Sequence, residues 1–302
     1  MNKKTIFEIL TITAAFVVNG RSQIYVAVGN GNNVSEYSFS GQFMGYLPDS
    51  SGANSFAVSG NDMYVSFGSR IAEYTTSGQL LNPSVVSGLS HVAGIAVSGN
   101  DLYVANMFTP GGSGISTIGE YTTSGATVNA SLISGLNNPI NVATDGTYLY
   151  VTAWSDGTVG KYTMTGQSVD PWLISGLNYP GGTVLDGRGD LFVSTIYGGV
   201  AEYTTDGMLV NPSVISGVYN SDIGLALYGN DLFDCDNYGG SGGNIVVEYT
   251  TGGQLVSSPL ISITDPTAIE VVPEPSASVL ILAGLAGLIL KGISKGSVVS
   301  AP

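Results

Sequence analysis

An all-β fold, a six-bladed β-propeller, is predicted by three observations. A strand signal recurs about every 40 residues, a second recurs in step with it, and the composition is rich in glycine and poor in charge. The first signal reads Tyr25-Val26, Tyr64-Val65, Tyr103-Val104, Tyr150-Val151, Phe192-Val193 and Phe233-Asp234, at spacings of 39, 39, 47, 42 and 41 residues. The second reads Glu36-Tyr37, Glu73-Tyr74, Glu120-Tyr121, Lys161-Tyr162, Glu202-Tyr203 and Glu248-Tyr249, each followed by a glycine-containing turn such as Thr75-Thr76-Ser77-Gly78. Glycine supplies 43 of 302 residues and charged residues only 10%, while 43% of the chain is hydrophobic. That balance fits many short strands joined by tight turns, and it excludes a disordered chain.

Taken in chain order, residues 1–22 read as a secretory signal. Lys3 and Lys4 precede an apolar run from Ile9 to Val18, too short to span a membrane, with small residues at Gly20 and Ser22 for cleavage. Residues 23–271 read as the propeller. One unit parses in full: inner strand a over Gly94–Val97, the turn Ser98-Gly99-Asn100-Asp101, strand b over Leu102–Ala105, strand c over Thr117–Thr122, the Ser124-Gly125 turn, and outer strand d over Thr127–Ile133. The first b strand, Ile24–Ala27, has no a strand before it, and the chain's last a strand, Thr267–Val271, has no b strand after it. Pairing the two closes the ring and leaves it without a free end.

Residues 272–302 read differently. Val272-Pro273-Glu274-Pro275-Ser276 precedes an apolar run from Ala277 to Leu290, then Lys291 and Lys295. An apolar anchor helix with a basic, cytoplasmic end is expected there. Pro273, Glu274 and Pro275, with Gly284-Leu285 and Gly287-Leu288 behind them, make the segment resemble the PEP-CTERM sorting domain. That resemblance implies an exosortase-type processing partner and a Gram-negative bacterium that makes exopolysaccharide. It also implies export to the periplasmic side of the inner membrane and then to the cell surface or beyond.

The repeats resemble NHL-type units and, more loosely, gluconolactonase-like propellers. The best copy runs Leu177-Asn178-Tyr179-Pro180-Gly181-Gly182, then Val184-Leu185-Asp186, then Gly189-Asp190-Leu191-Phe192-Val193. The gluconolactonase-like resemblance implies a divalent ion, calcium or magnesium, at the channel mouth. Asn138, Asn141, Asp222 and Asp265 are its candidate ligands.

Between Gln23 and Val272 three bases, Arg70, Lys161 and Arg188, stand against 20 acids, a net of −17. Such a field repels phosphate backbones and excludes nucleic acid as a partner. Cys235 is the one cysteine, so neither an intrachain disulfide nor a multi-cysteine metal centre forms. His91 is the one histidine, and no sequence context marks a nucleophile for it, so no catalytic residue is assigned.

Propeller connectivity puts the short a–b and c–d turns on one face and the irregular b–c and d–a connections on the other. Irregularity on a regular scaffold is where sites sit. The candidate ligand-binding face therefore carries His91, Asn138, Trp154, Tyr179, Tyr197, Asp222 and Tyr238, with the aromatic rings suited to stacking on sugars. Two functions follow: a non-enzymatic envelope protein that binds exopolysaccharide or another envelope protein, and a metal-dependent lactonase or lyase. Asp234-x-Asp236-Asn237 followed by Gly239-Gly240 also resembles part of a calcium loop.

Overall fold

Six four-stranded antiparallel sheets make up the chain's compact unit, Gln23–Val272. The computed structural model describes residues 22–29, 33–107, 116–216, 220–236 and 244–273, with backbone alone for 220–223. The signal segment and the anchor segment from Glu274 onward lie outside the described residues, as does Tyr238. No helix among the described residues is long and apolar enough to cross a membrane.

Blade 1 is the closing blade. Its inner strand is the last of the chain, β24 (Pro266–Val272), hydrogen-bonded to β1 (Gln23–Val28), then β2 (Ser35–Ser38) and β3 (Phe43–Tyr46). Tyr25 pairs with Glu270 and Val26 with Ile269 across the junction. Blades 2 to 6 are each built from four consecutive strands, the first of each beginning at Ala53, Val92, Pro139, Pro180 and Asn220. The expected strands stand within two residues of those observed. Strand c of blade 3 is Thr117–Thr122, and strand a extends to Val92–Ser98.

One hydrophobic cluster fills each of the six seams between blades. The strand signal explains why. Successive side chains of strand b face opposite neighbours, so the aromatic of one blade meets the valine of the next. Tyr25 and Ala27 meet Val65, Tyr64 meets Val104, Tyr103 and Ala105 meet Val151, and Tyr150 meets Val193. The recurring tyrosine of strand c packs into the seams in every blade, buried at Tyr37, Tyr74, Tyr121 and Tyr162 and half-buried at Tyr203 and Tyr249.

Hydrogen bonds fix which connections share a face. The c–d turn closes on the a–b turn: Thr123 N–H donates to Asn100 O at 2.8 Å and Thr205 N–H to Gly189 O at 2.8 Å. On the opposite face the residue after strand b donates to the residue before strand a, as Met107 N–H does to His91 O at 3.1 Å.

Candidate binding face at the channel mouth

The residue that precedes strand a has a left-handed backbone in each of the five blades where it is described. Gly52 has φ of 79°, His91 48°, Asn138 53°, Tyr179 53° and Asp265 54°. Four of these are not glycine, so each carries the strain of a side chain in that region. The carbonyl each presents is captured by the b–c connection: Trp154 N–H donates to Asn138 O at 3.0 Å, Ile196 N–H to Tyr179 O at 3.2 Å and Gly29 N–H to Asp265 O at 2.9 Å. His91, Asn138, Tyr179 and Asp265 are therefore one structural position repeated around the mouth. Every inner strand then bulges within its first few residues, between Pro139 and Asn141 in blade 4 for example. Bulges of this kind re-aim side chains at a rim.

Three sequence-expected residues meet in space. Trp154 of blade 4 and Tyr179 of blade 5 lie 4.7 Å apart between ring centroids, tilted by 35°, and Tyr179 meets Tyr197 edge-on at 6.4 Å. Tyr179 is 43% exposed and Tyr197 56%, while Trp154 is half-buried. The result is a run of rings across the seam between blades 4 and 5. Its polar surround comes from Asn138, whose Nδ2 donates to Ser155 Oγ at 2.8 Å, and Asn137, whose Nδ2 donates to Asp156 Oδ1 at 3.0 Å. Trp154 Nε1 and Asn141 Oδ1 are buried without a hydrogen-bond partner.

The expected ion ligands converge less completely. Asn141 offers its unpartnered Oδ1. Asn138 spends its amide nitrogen on Ser155, and Asp265 lays its carboxylate against Gly29, where no Cβ would fit. The side chain of Asp222 lies outside the described residues. Among the described residues no three His, Cys, Asp or Glu side chains form a metal-binding group. His91 stands exposed on blade 3 and Cys235 is buried on blade 6, in the seam with blade 1.

Two ionisable groups stand out in a column-by-column comparison of the repeats: Glu270, which no motif marks, and Asp234, which the sequence offers only through its likeness to part of a calcium loop. Glu270 occupies an inner-strand position where the other blades carry Ala57, Ala96, Ala143, Val184 and Ala226. Burial pushes its carboxyl up to about 7, against a hydrogen bond from the backbone of Val271 that lowers it. Asp234 breaks the valine column of strand b and is 1% exposed.

No family model matches the chain, and no curated protein matches it. Solved structures do. One chain of a nidogen/laminin complex superposes with a TM-score of 0.65 at 15% identity, covering 83% of this chain and 98% of that one. A gluconolactonase from Xanthomonas campestris gives 0.55 at 15% identity, covering 74% and 83%. A catalytically inactive virginiamycin B lyase from Staphylococcus aureus, solved with quinupristin, gives 0.54 at 18%, covering 86% and 94%. What they share with this chain is the fold. Binding partners, lactonase and lyase all appear on it, so likeness of fold does not choose among them.

Proposed function

We propose that this protein is a non-enzymatic binding protein of the cell envelope whose mouth face takes neutral polysaccharide. The run of Trp154, Tyr179 and Tyr197 carries this reading. The exposed rings of Tyr179 and Tyr197, with half-buried Trp154 across the seam, offer flat apolar faces to sugar rings, and the amide oxygens of Asn137 and Asn138, whose nitrogens are held by Asp156 and Ser155, are acceptors for hydroxyls. A net charge of −17 over the body disfavours anionic glycans and leaves neutral ones. The reading includes export by the N-terminal segment. It also includes exosortase-type processing and envelope anchoring through the segment that begins at Pro273-Glu274-Pro275, as its resemblance implies.

The test is retention of the full chain on neutral extracellular polysaccharide from the source bacterium. Tyr179→Ala and Tyr197→Ala each weaken binding about two- to twelvefold, an aromatic contact being worth roughly 0.5–1.5 kcal/mol. No retention of the wild type, or full retention by both variants, defeats the reading.

A second reading, a metal-dependent lactonase or lyase, is favoured by Asn141 Oδ1, a buried acceptor with no partner near the mouth. Divalent-ion-dependent lactone hydrolysis that vanishes in Asn141→Ala would select it over the first.

A further inference from the structure

Asp234 stands where the five other blades carry Val26, Val65, Val104, Val151 and Val193. It is 1% exposed, and neither of its carboxylate oxygens has a hydrogen-bond partner. Asp236, two residues along β21 (Asp231–Asp236), shares its face and is 8% exposed. Leu232, also on that face, packs with Phe192, Val200 and Leu225 in the seam between blades 5 and 6. Both aspartates therefore point into this seam, towards the stretch Phe192–Ser194 of blade 5. Ser194 is itself 1% exposed, its Oγ donating to Gly182 O at 3.3 Å.

No basic side chain of the propeller serves this seam's interior. Lys161 is held by Thr205 O and Asp206 in the seam between blades 4 and 5. Arg70 bonds Pro83 O and covers the Phe67 ring. Arg188 reaches Asn230 Oδ1 on the exposed turn face. Burial and the neighbouring Asp236 push the Asp234 carboxyl well above the usual range. A proton would remove its charge and still leave a desolvated carboxyl with nothing to bond. A cation removes the repulsion and satisfies the oxygens together.

We propose that Asp234 and Asp236 bind one divalent, oxygen-ligated cation of the calcium class in the seam between blades 5 and 6. Calcium takes carboxylate and carbonyl oxygens in variable number, whereas magnesium keeps several waters. The dryness of Asp234 therefore favours calcium. The ion does the work that the valine column does elsewhere, joining two blades whose facing surfaces are here partly polar. This site is separate from the polysaccharide face and from Asn141.

The experiment uses the full chain stripped with EDTA, then given Ca²⁺ or Mg²⁺, with metal content by mass spectrometry and Tm by calorimetry. The expected result is one calcium per chain and a rise in Tm of about 5–11 °C at 100 times the dissociation constant. Asp234→Val, which restores the column, abolishes the bound ion and the shift, and melts no lower than the stripped wild type. Asp234→Asn keeps the shape, likewise loses the response, and decides the matter if the valine variant does not fold. Asn141→Ala retains both ion and shift. No calcium retained and no shift in the wild type overturns the proposal. So does a shift that survives Asp234→Val and Asp234→Asn, or a response to Mg²⁺ alone.

Discussion

Lys161 Nζ of blade 4 stands 3.4 Å from Asp206 Oδ1 of blade 5 and donates to Thr205 O at 2.9 Å. Both residues are exceptions. Lys161 is the one base in a strand-c column otherwise filled by glutamate, and Asp206 is the one acid in a c–d turn column of Ser40, Ser77, Ser124, Thr165 and Gly252. The two exceptions face each other. Asp206 is 84% exposed, so the charge pair itself adds under about 1 kcal/mol. Lys161 also sits over the rings of Tyr148 and Tyr150, at 4.5 and 5.7 Å. Asp206→Ser should therefore cost little, and Lys161→Glu, which sets acid against acid, should cost more. Lys161→Glu with Asp206→Ser, the arrangement of blades 1 and 2, should recover most of that loss. A double-mutant cycle in urea unfolding measures the coupling.

Glycine does two jobs that one comparison separates. Gly52 has open space around it, so Gly52→Ala meets only the cost of its positive φ, about 1 kcal/mol. Gly166, in the c–d turn of blade 4, has the same kind of φ, but a Cβ there would collide with Leu132 O of blade 3. Gly166→Ala should destabilise by more than Gly52→Ala, and the excess reports the closeness of the seam. The reverse order in denaturant midpoints would show that the seam gives way easily.

His91 offers the opposite substitution. It is exposed at the position Gly52 occupies in blade 2, with φ of 48°. His91→Gly should leave stability within about 1 kcal/mol of wild type, relief of strain offsetting the greater freedom of the unfolded chain. Polysaccharide retention by this variant reads whether His91 is a contact on the mouth face. A loss of retention without loss of Tm would make His91 a contact.

Acid should stabilise this protein. Burial raises Glu36, Glu73, Glu120, Glu202, Glu248 and Glu270, with Asp62, Asp101, Asp190 and Asp231 adding to four of them. A carboxyl whose folded pKa lies above its unfolded value binds protons more tightly when folded. Its stabilising contribution is complete below the unfolded value of 4.5 and is lost as pH rises through the folded value, about 7 for Glu270. Unfolding free energy in metal-free buffer should fall from pH 5 to pH 8, and Glu270→Gln should flatten the part of that slope near neutrality. A free energy that rises over this interval would contradict the assignment.

The period near 40, the strand order within a unit and the closing of blade 1 by both ends of the propeller were legible in the sequence. Each blade repeats the same alternation of buried side chains, and that alternation is a local property of strands. The sorting of connections onto two faces was legible too, the irregular b–c and d–a connections on one and the uniform turns on the other. Which residues meet across a seam was decided by the tertiary structure. Trp154 and Tyr179 lie on neighbouring blades 25 residues apart, and Lys161 and Asp206 on neighbouring blades 45 residues apart. The spacing of the chain does not say which face of a blade each side chain takes or how far adjacent blades are staggered. Those follow from strand register and from packing one sheet on the next, and they set Trp154, Tyr179 and Tyr197 ring to ring and buried Asp234 and Asp236 between blades.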